Sequence, residues 1–239
     1  MTERERILVS WSGGKDSALA LASLLEDPAV HVLGLLTSVT SGYDRVSIHG
    51  VRRELLEAQA ESLRLPLTEI TLEPDCSNAA YEAAFLTSVA HARRTHGDVD
   101  AIAFGDLFLT DVRAYRERLL AGTGVGSRFP LWGISTSTLA ERCLSSGVHA
   151  RLVCVDTSQL AARFAGRLFD RALLTELPAG VDPCGERGEF HTFVADAPGF
   201  HERISYGVGE TVARGEGERF VYCDLLPVST RSRNRRSVA

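Results

Sequence analysis

Lysine is all but missing from this sequence: Lys15 is the one lysine among the 26 lysine and arginine residues. Cysteine is scarce, and Cys76, Cys143, Cys154, Cys184 and Cys223 are odd in number, widely spaced and without a Cys-x-x-Cys pair. That argues against a zinc ribbon, an iron–sulfur cluster or a disulfide framework and leaves buried free thiols. Long apolar runs are missing too. Stretches such as residues 17–25 fall far short of the ~20 residues a bilayer span requires, and the chain opens with charged Glu3, Arg4, Glu5 and Arg6. A cytoplasmic protein with no membrane partner is expected. Residues 229–239 carry Arg231, Arg233, Arg235 and Arg236 and no acid, so the body is more acidic than the net charge of -5 suggests. An acidic body is a poor non-specific binder of nucleic acid, and the tail reads as a basic, flexible terminus.

What is there is ordinary globular material. With 239 residues, 44% hydrophobic and 24% charged, the chain can form one large domain or two modest ones sharing a core. Residues 6–10 form a β-branched run, a glycine-containing loop follows, and residues 17–25 are rich in Ala and Leu, giving strand, loop and helix. Further strands are predicted at 30–37, 67–72 and 101–104. Helices are predicted from residue 51, where Leu55, Leu56, Ala60 and Leu63 recur at helical spacing, and over 78–96 and 111–120. This alternation predicts an α/β fold with a doubly wound parallel sheet. Such sheets bind ligands at the carboxyl ends of their strands, where residues 12–17, Thr37-Ser38 and Gly105-Asp106 would converge.

Gly122, Gly124 and Gly126 interrupt the pattern and predict a boundary. Residues 1–125 are expected to bind nucleotide, residues 126–228 to form a smaller α+β unit that binds substrate, and residues 229–239 to be the tail. In the second unit the sequence predicts helix over 139–144 and 160–177 and strands over 150–155, 191–194 and 220–225.

The chemistry concentrates in Ser12-Gly13-Gly14-Lys15-Asp16-Ser17. Glycines between a strand and a helix let backbone N–H groups point inward, and the helix start adds the positive end of a dipole, so the loop suits phosphate oxygens. Lys15 adds a full charge, and its compact ammonium fits where a planar guanidinium would be too wide. Ser12 and Ser17 can donate hydroxyls, and Asp16 can hold a magnesium ion that bridges phosphates. The spacing fits neither the Walker loop nor the dinucleotide loop, and chance would produce a specified six-residue string with a probability on the order of 10⁻⁵.

The string resembles the pyrophosphatase loop of the adenine nucleotide alpha hydrolase superfamily. The resemblance implies a Rossmann-like fold, ATP cleaved between its alpha and beta phosphates, and an adenylated intermediate. A second signature, Asp182-Pro183-Cys184-Gly185-Glu186-Arg187-Gly188-Glu189-Phe190-His191-Thr192, resembles the Glu-x-Gly-Glu-aromatic motif of the diphthine-ammonia ligase family. The likeness extends through Ile48-His49-Gly50-Val51, Leu65-Pro66-Leu67, Gly105-Asp106 with Arg113, and Pro130-Leu131-Trp132. Arg187 and His191 depart from the usual diphthine signature, so the resemblance implies a member outside the true diphthine subgroup. Such members include bacterial proteins suspected of amidation in cobalamin salvage.

The resemblance implies an ATP-dependent amide ligase that adenylates a carboxylate and transfers ammonia. Lys15, Asp16, Glu186 and Glu189 are then expected to be catalytic. Ser12, Gly13, Gly14, Lys15, Asp16, Ser17, Thr37, Gly105 and Asp106 would bind ATP, and Arg113, Glu186, Glu189 and His191 the substrate. Asp16 and Asp106 would hold magnesium. Arg116 shares a helix with Arg113 and could reach a carboxylate or phosphate, while Trp132 reads as core. With Thr2 where an amidotransferase would present a nucleophilic cysteine, ammonia is expected free or from a partner. A homodimer is compatible with the sequence. Two rivals share the loop: a noncatalytic ATP or AMP sensor, and a sulfur-transferring enzyme for which Cys184 is the one cysteine inside a motif.

Overall fold

The computed structural model describes residues 3–42, 45–46 and 50–228. Ile48, His49 and the 229–239 tail therefore lie outside the described residues. Five strands run parallel in the order β4 (Leu67–Leu72), β2 (Val30–Thr40), β1 (Glu5–Ser10), β5 (Ala101–Ala103) and β6 (Gly126–Arg128), and the short β3 (Arg45–Val46) pairs antiparallel with the end of β2. The sheet thus continues into β6 beyond the turn at Gly122 and Gly124.

Alternation along the strands builds two cores. Ile7 and Val9 of β1 face one side, with α1 (Lys15–Leu25) and α2 (Arg53–Leu63) packed over them through Leu19, Leu21, Leu55 and Leu56. Leu8 faces the other, under α3 (Asn78–His96) and α4 (Thr110–Leu120), which contribute Phe85, Val89, Leu119 and Leu120. Helices cover both faces, as the sequence predicts for a doubly wound sheet.

The second unit is an antiparallel sheet in the order β8 (Phe190–Asp196), β7 (His149–Asp156), β10 (Phe220–Pro227) and β9 (Tyr206–Arg214). Helices α5 (Thr136–Ser145) and α6 (Arg171–Glu176) begin at Ser135 and Asp170, whose side chains accept the amides of Thr138 and Leu173 at 3.2 and 2.8 Å.

The helix predicted over 160–177 is corrected. A single 3-10 turn, Ala162–Phe164, gives way at Gly166 (φ +81°) to an extended stretch that bonds to β7, and α6 starts only at Arg171. β10 pairs only with residues 154–156 of β7, and residues 166–169 take the open edge beside Ala150 and Leu152. An unpaired strand edge inside the molecule outweighed helical composition.

The two units share a core. The cluster around Ile7 and Leu19 continues into Phe190, Phe193 and Val194 of β8, and the Val194 amide donates to the carbonyl of Gly13 at 2.9 Å. The second sheet is thereby bonded directly to the glycine loop of the first unit.

Candidate functional site

The loop between β1 and α1 is shaped by contact. Gly13 sits at φ +75°, and a Cβ there would lie 2.6 Å from Leu56 and 2.8 Å from Gln59. At Gly14 a Cβ would come within 3.1 Å of the Thr192 carbonyl, and at Gly105 within 3.0 Å of the Asp16 and Ser17 backbone. The glycines thus let β5 and β8 close on the first turn of α1. The N-cap residue, Gly14, has no side chain to cap that helix start, and Thr192 of β8 takes its first amide instead. The Lys15 amide donates to Thr192 Oγ1 at 3.1 Å, and Ser17 Oγ donates to the Gly14 carbonyl at 2.9 Å while standing 3.2 Å from Ser12 Oγ.

Lys15 is 2% exposed, and its ammonium donates to both Asp16 oxygens, at 3.0 and 2.9 Å, and to the carbonyl of Cys184. The rings of Phe169 and Phe190 lie 5.5 and 5.6 Å away. Burial alone would lower its pKa, but the Asp16 carboxylate and its hydrogen bonds, with Cys184 and Cys143 adding, together outweigh that and hold it above the ordinary lysine value.

A cleft of about 270 Å³ opens beside the loop, with Ser12, Gly14, Asp16 and Ser17 on one wall. Gly105, Asp106 and Arg116 come from the end of β5 and from α4, and Glu186, His191 and Thr192 from the second unit. Burial raises the pKa of Glu186 to about 7, with the charges of Asp16 and Asp106 adding to the shift and the Leu107 amide, 2.8 Å from Oε1, opposing it. Burial likewise raises Asp106, against the pull of Arg116, whose Nε stands 3.7 Å from Oδ2. Neither of those two atoms has a hydrogen-bond partner. Burial, with Lys15 assisting, pushes His191 down to about 4, so its imidazole is neutral at physiological pH.

Four expected site residues stand elsewhere. Glu189, expected at the reacting groups, is 2% exposed and lies inside the turn, where its two oxygens each accept a backbone amide at 2.9 Å, from Asp182 and from Arg187. Arg113 does not line the cleft: its guanidinium lies over Phe129 and Trp132, and Nε donates to Glu117 at 2.8 Å. Arg116, one helical turn on, occupies the cleft wall. Gly13 lies behind the loop surface, with Gly14 at the wall. Thr37 is buried with Oγ1 unpartnered, because strand alternation sends Ser38 and Thr40 instead into a second cleft of about 760 Å³. That cleft shares Ser10, Ser12 and Arg116 with the first, and Tyr222 of β10 also lines it.

Sequence reasoning missed Gln59 and Thr192. Gln59 is wholly buried, and its polarity on the otherwise apolar face of Leu55, Leu56, Ala60 and Leu63 was the available signal. Thr192 stands at the end of the second signature, but its contact with the Lys15 amide spans 177 residues and could not be read from it.

Among the described residues no group of three or more His, Cys, Asp or Glu side chains is arranged to hold a metal ion. Asp16 and Asp106, whose Oδ2 has no partner, are nevertheless hard donors lining one cleft, a set that suits a magnesium ion taking its remaining ligands from phosphates and water. Cys184 is buried, its Sγ lies 3.2 Å from the Thr136 carbonyl, and burial pushes its thiol up to about 12.

Comparison with known proteins agrees with this architecture. The family model of the diphthamide synthase N-terminal domain matches residues 5–127, and that of the diphthamide synthase C-terminal domain matches residues 135–222. The chain is 25% identical over 231 residues to a diphthine–ammonia ligase of Schizosaccharomyces pombe, covering 89% of this chain and 38% of that protein. It is 26% identical to a diphthine–ammonia ligase of Danio rerio, covering 88% of this chain and 90% of the relative, and 25% identical to one of Homo sapiens, covering 87% and 85%. It thus spans well under half of the yeast relative and most of the other two. With the two domain models falling in order on the two sheets, the chain belongs to the diphthamide synthase family.

Proposed function

We propose that this protein is an ATP-dependent carbon–nitrogen ligase that adenylates a substrate carboxylate, releases pyrophosphate and transfers ammonia. The observation that carries the reading is the meeting in one cleft of Asp16 from the glycine loop, Asp106 from the end of β5 and Glu186 from the second unit. The names of the three relatives support the same reaction class.

In this reading the start of α1, where the Ser12 and Thr192 hydroxyls hold the Gly14 and Lys15 amides, receives the pyrophosphate, and Lys15 adds a buried positive charge behind it. Asp16 and Asp106 would hold magnesium, which supplies charge neutralisation for the phosphates. The larger cleft, walled by Ser38, Thr40 and Tyr222, would take the nucleoside, and Arg116 stands where the two clefts join. Glu186, half-protonated near neutral pH, is suited to take a proton from the attacking ammonia. Neutral His191 and Arg187 border the turn in place of the residues usual in the diphthine signature, so the acyl substrate is proposed to be a carboxylate other than, or in addition to, diphthine. A buried Cys184 with its thiol pushed up to about 12 counts against sulfur transfer.

The test is a pyrophosphate-release assay with magnesium-ATP and ammonium across a panel of carboxylates, including a diphthine-bearing protein and cobalamin precursors, with Lys15→Ala as control. Substrate-dependent pyrophosphate and AMP, lost in the control, are expected. Tight ATP binding without turnover on any substrate would favour a nucleotide sensor instead.

A further inference from the structure

Gln59 touches neither cleft, yet every polar atom of its side chain is engaged. Oε1 accepts the indole N–H of Trp11 at 2.9 Å, and Nε2 donates to the carbonyls of Gly13 at 3.1 Å and of Val194 at 2.6 Å. The Val194 amide closes the set by donating to the same Gly13 carbonyl at 2.9 Å. The single indole donor sets which end of the amide is oxygen, because a flipped Gln59 would press N–H against N–H and oxygen against two carbonyls.

A trans peptide holds its C=O and N–H on opposite sides of the chain. Drawing the Gly13 oxygen into the core therefore aims the Gly14 N–H the other way, toward Ser12 Oγ at 3.3 Å and the cleft that Gly14 lines. Gly13, at φ +75°, is the type of residue whose peptide could otherwise rotate. We infer that Gln59 is a positioning residue: with Trp11 it locks the Gly13–Gly14 peptide in the anion-receiving orientation and ties that orientation to strand β8. This rests on the loop being the phosphate site proposed above.

Magnesium pyrophosphate is the probe, measured by calorimetry on the full chain, since its binding needs no acyl substrate. The wild type is expected to bind it, and Gln59→Met, which keeps the volume and removes both donors, to bind about tenfold more weakly. Trp11→Phe, which removes the orienting N–H together with part of the buried ring, is expected to weaken binding about threefold, beyond what Val89→Ala does at an equal loss of Tm. Val89→Ala, in the core on the other face of the sheet, supplies the comparison: a lower Tm with wild-type affinity. Gln59→Met binding like the wild type, or Val89→Ala weakening binding as much at an equal loss of Tm, would overturn the inference. Should Gln59→Met not fold, Trp11→Phe decides, and unchanged affinity there overturns it. If the wild type binds neither magnesium pyrophosphate nor ATP, the phosphate reading of the loop fails first and takes this inference with it.

Discussion

The ammonium of Lys15 donates to the carbonyl of Cys184, so the head of α1 is bonded to the turn that carries Glu186 from 169 residues away. With Asp16 taking its other donors, all three ammonium hydrogens are used within the protein. Lys15 is thus both the charge behind the loop and the strut between the two units. Lys15→Ala should lower turnover by roughly 10²–10³ and also lower the Tm. Lys15→Arg should rescue little, because a planar guanidinium cannot reproduce the compact ammonium's donations to both Asp16 oxygens and the Cys184 carbonyl. Turnover and melting measured on both variants check this; wild-type turnover in Lys15→Arg would contradict it.

Glu186 should set the acid limb of the pH profile. Burial, with Asp16 and Asp106 nearby, raises it to about 7, so lowering the pH through that value protonates the group proposed to accept a proton. Measured at constant free ammonia, turnover should rise with pH through about 7 in the wild type. Glu186→Gln should lose roughly 10²-fold in turnover and show no such limb. An unchanged limb in the variant would assign it to another group.

The first unit was legible because local pattern and tertiary demand agree there. Helix α3 runs over Asn78–His96 and strand β4 over Leu67–Leu72, as the spacing predicts. Strand β9 was missed because it is an edge strand in which Gly207 and Gly209 blur the alternation. The 160–177 stretch misled because its composition is helical while the open edge of β7 needs partners. Within the site, residue types were readable but not their directions. Ser38 faces a cleft where Thr37 was expected, and of two acids three residues apart Glu186 faces the cleft while Glu189 organises its own turn.

Cys184 should be dispensable for the chemistry. Burial pushes its thiol up to about 12, and Cys143, also buried near Lys15, is pushed equally high. A thiol that far above neutral pH supplies almost no thiolate. Cys184→Ser should keep turnover within about threefold, the residue of effect coming from packing. Native-state alkylation should leave both thiols unmodified, and rapid labelling of Cys184 with parallel loss of activity would reopen sulfur chemistry.

Acid stability should report on the clamp that holds β10 against the first unit. Asp224 accepts from Arg45 at 2.9 Å and from Arg52 at 3.1 and 2.6 Å, beside Gly50, where a Cβ would meet the Tyr222 ring at 2.7 Å. Burial would raise the Asp224 carboxyl, but hydrogen bonds from Arg52 and Arg45 outweigh it and hold it at about 2, below the ordinary 3.8. A carboxyl with a depressed folded-state pKa stabilises the fold above its unfolded value, and that contribution is lost as the pH falls toward the folded value. The clamp should therefore contribute fully at neutral pH and fade between 3.8 and about 2. Asp224→Asn should cost about 1 kcal/mol at neutral pH, the full shift being reduced by solvent screening at the half-exposed arginines. The variant and wild-type stability curves, from denaturant titrations between neutral pH and acid, should converge through that window. Curves that stay parallel there would mean that the two arginines do not hold the carboxylate in solution.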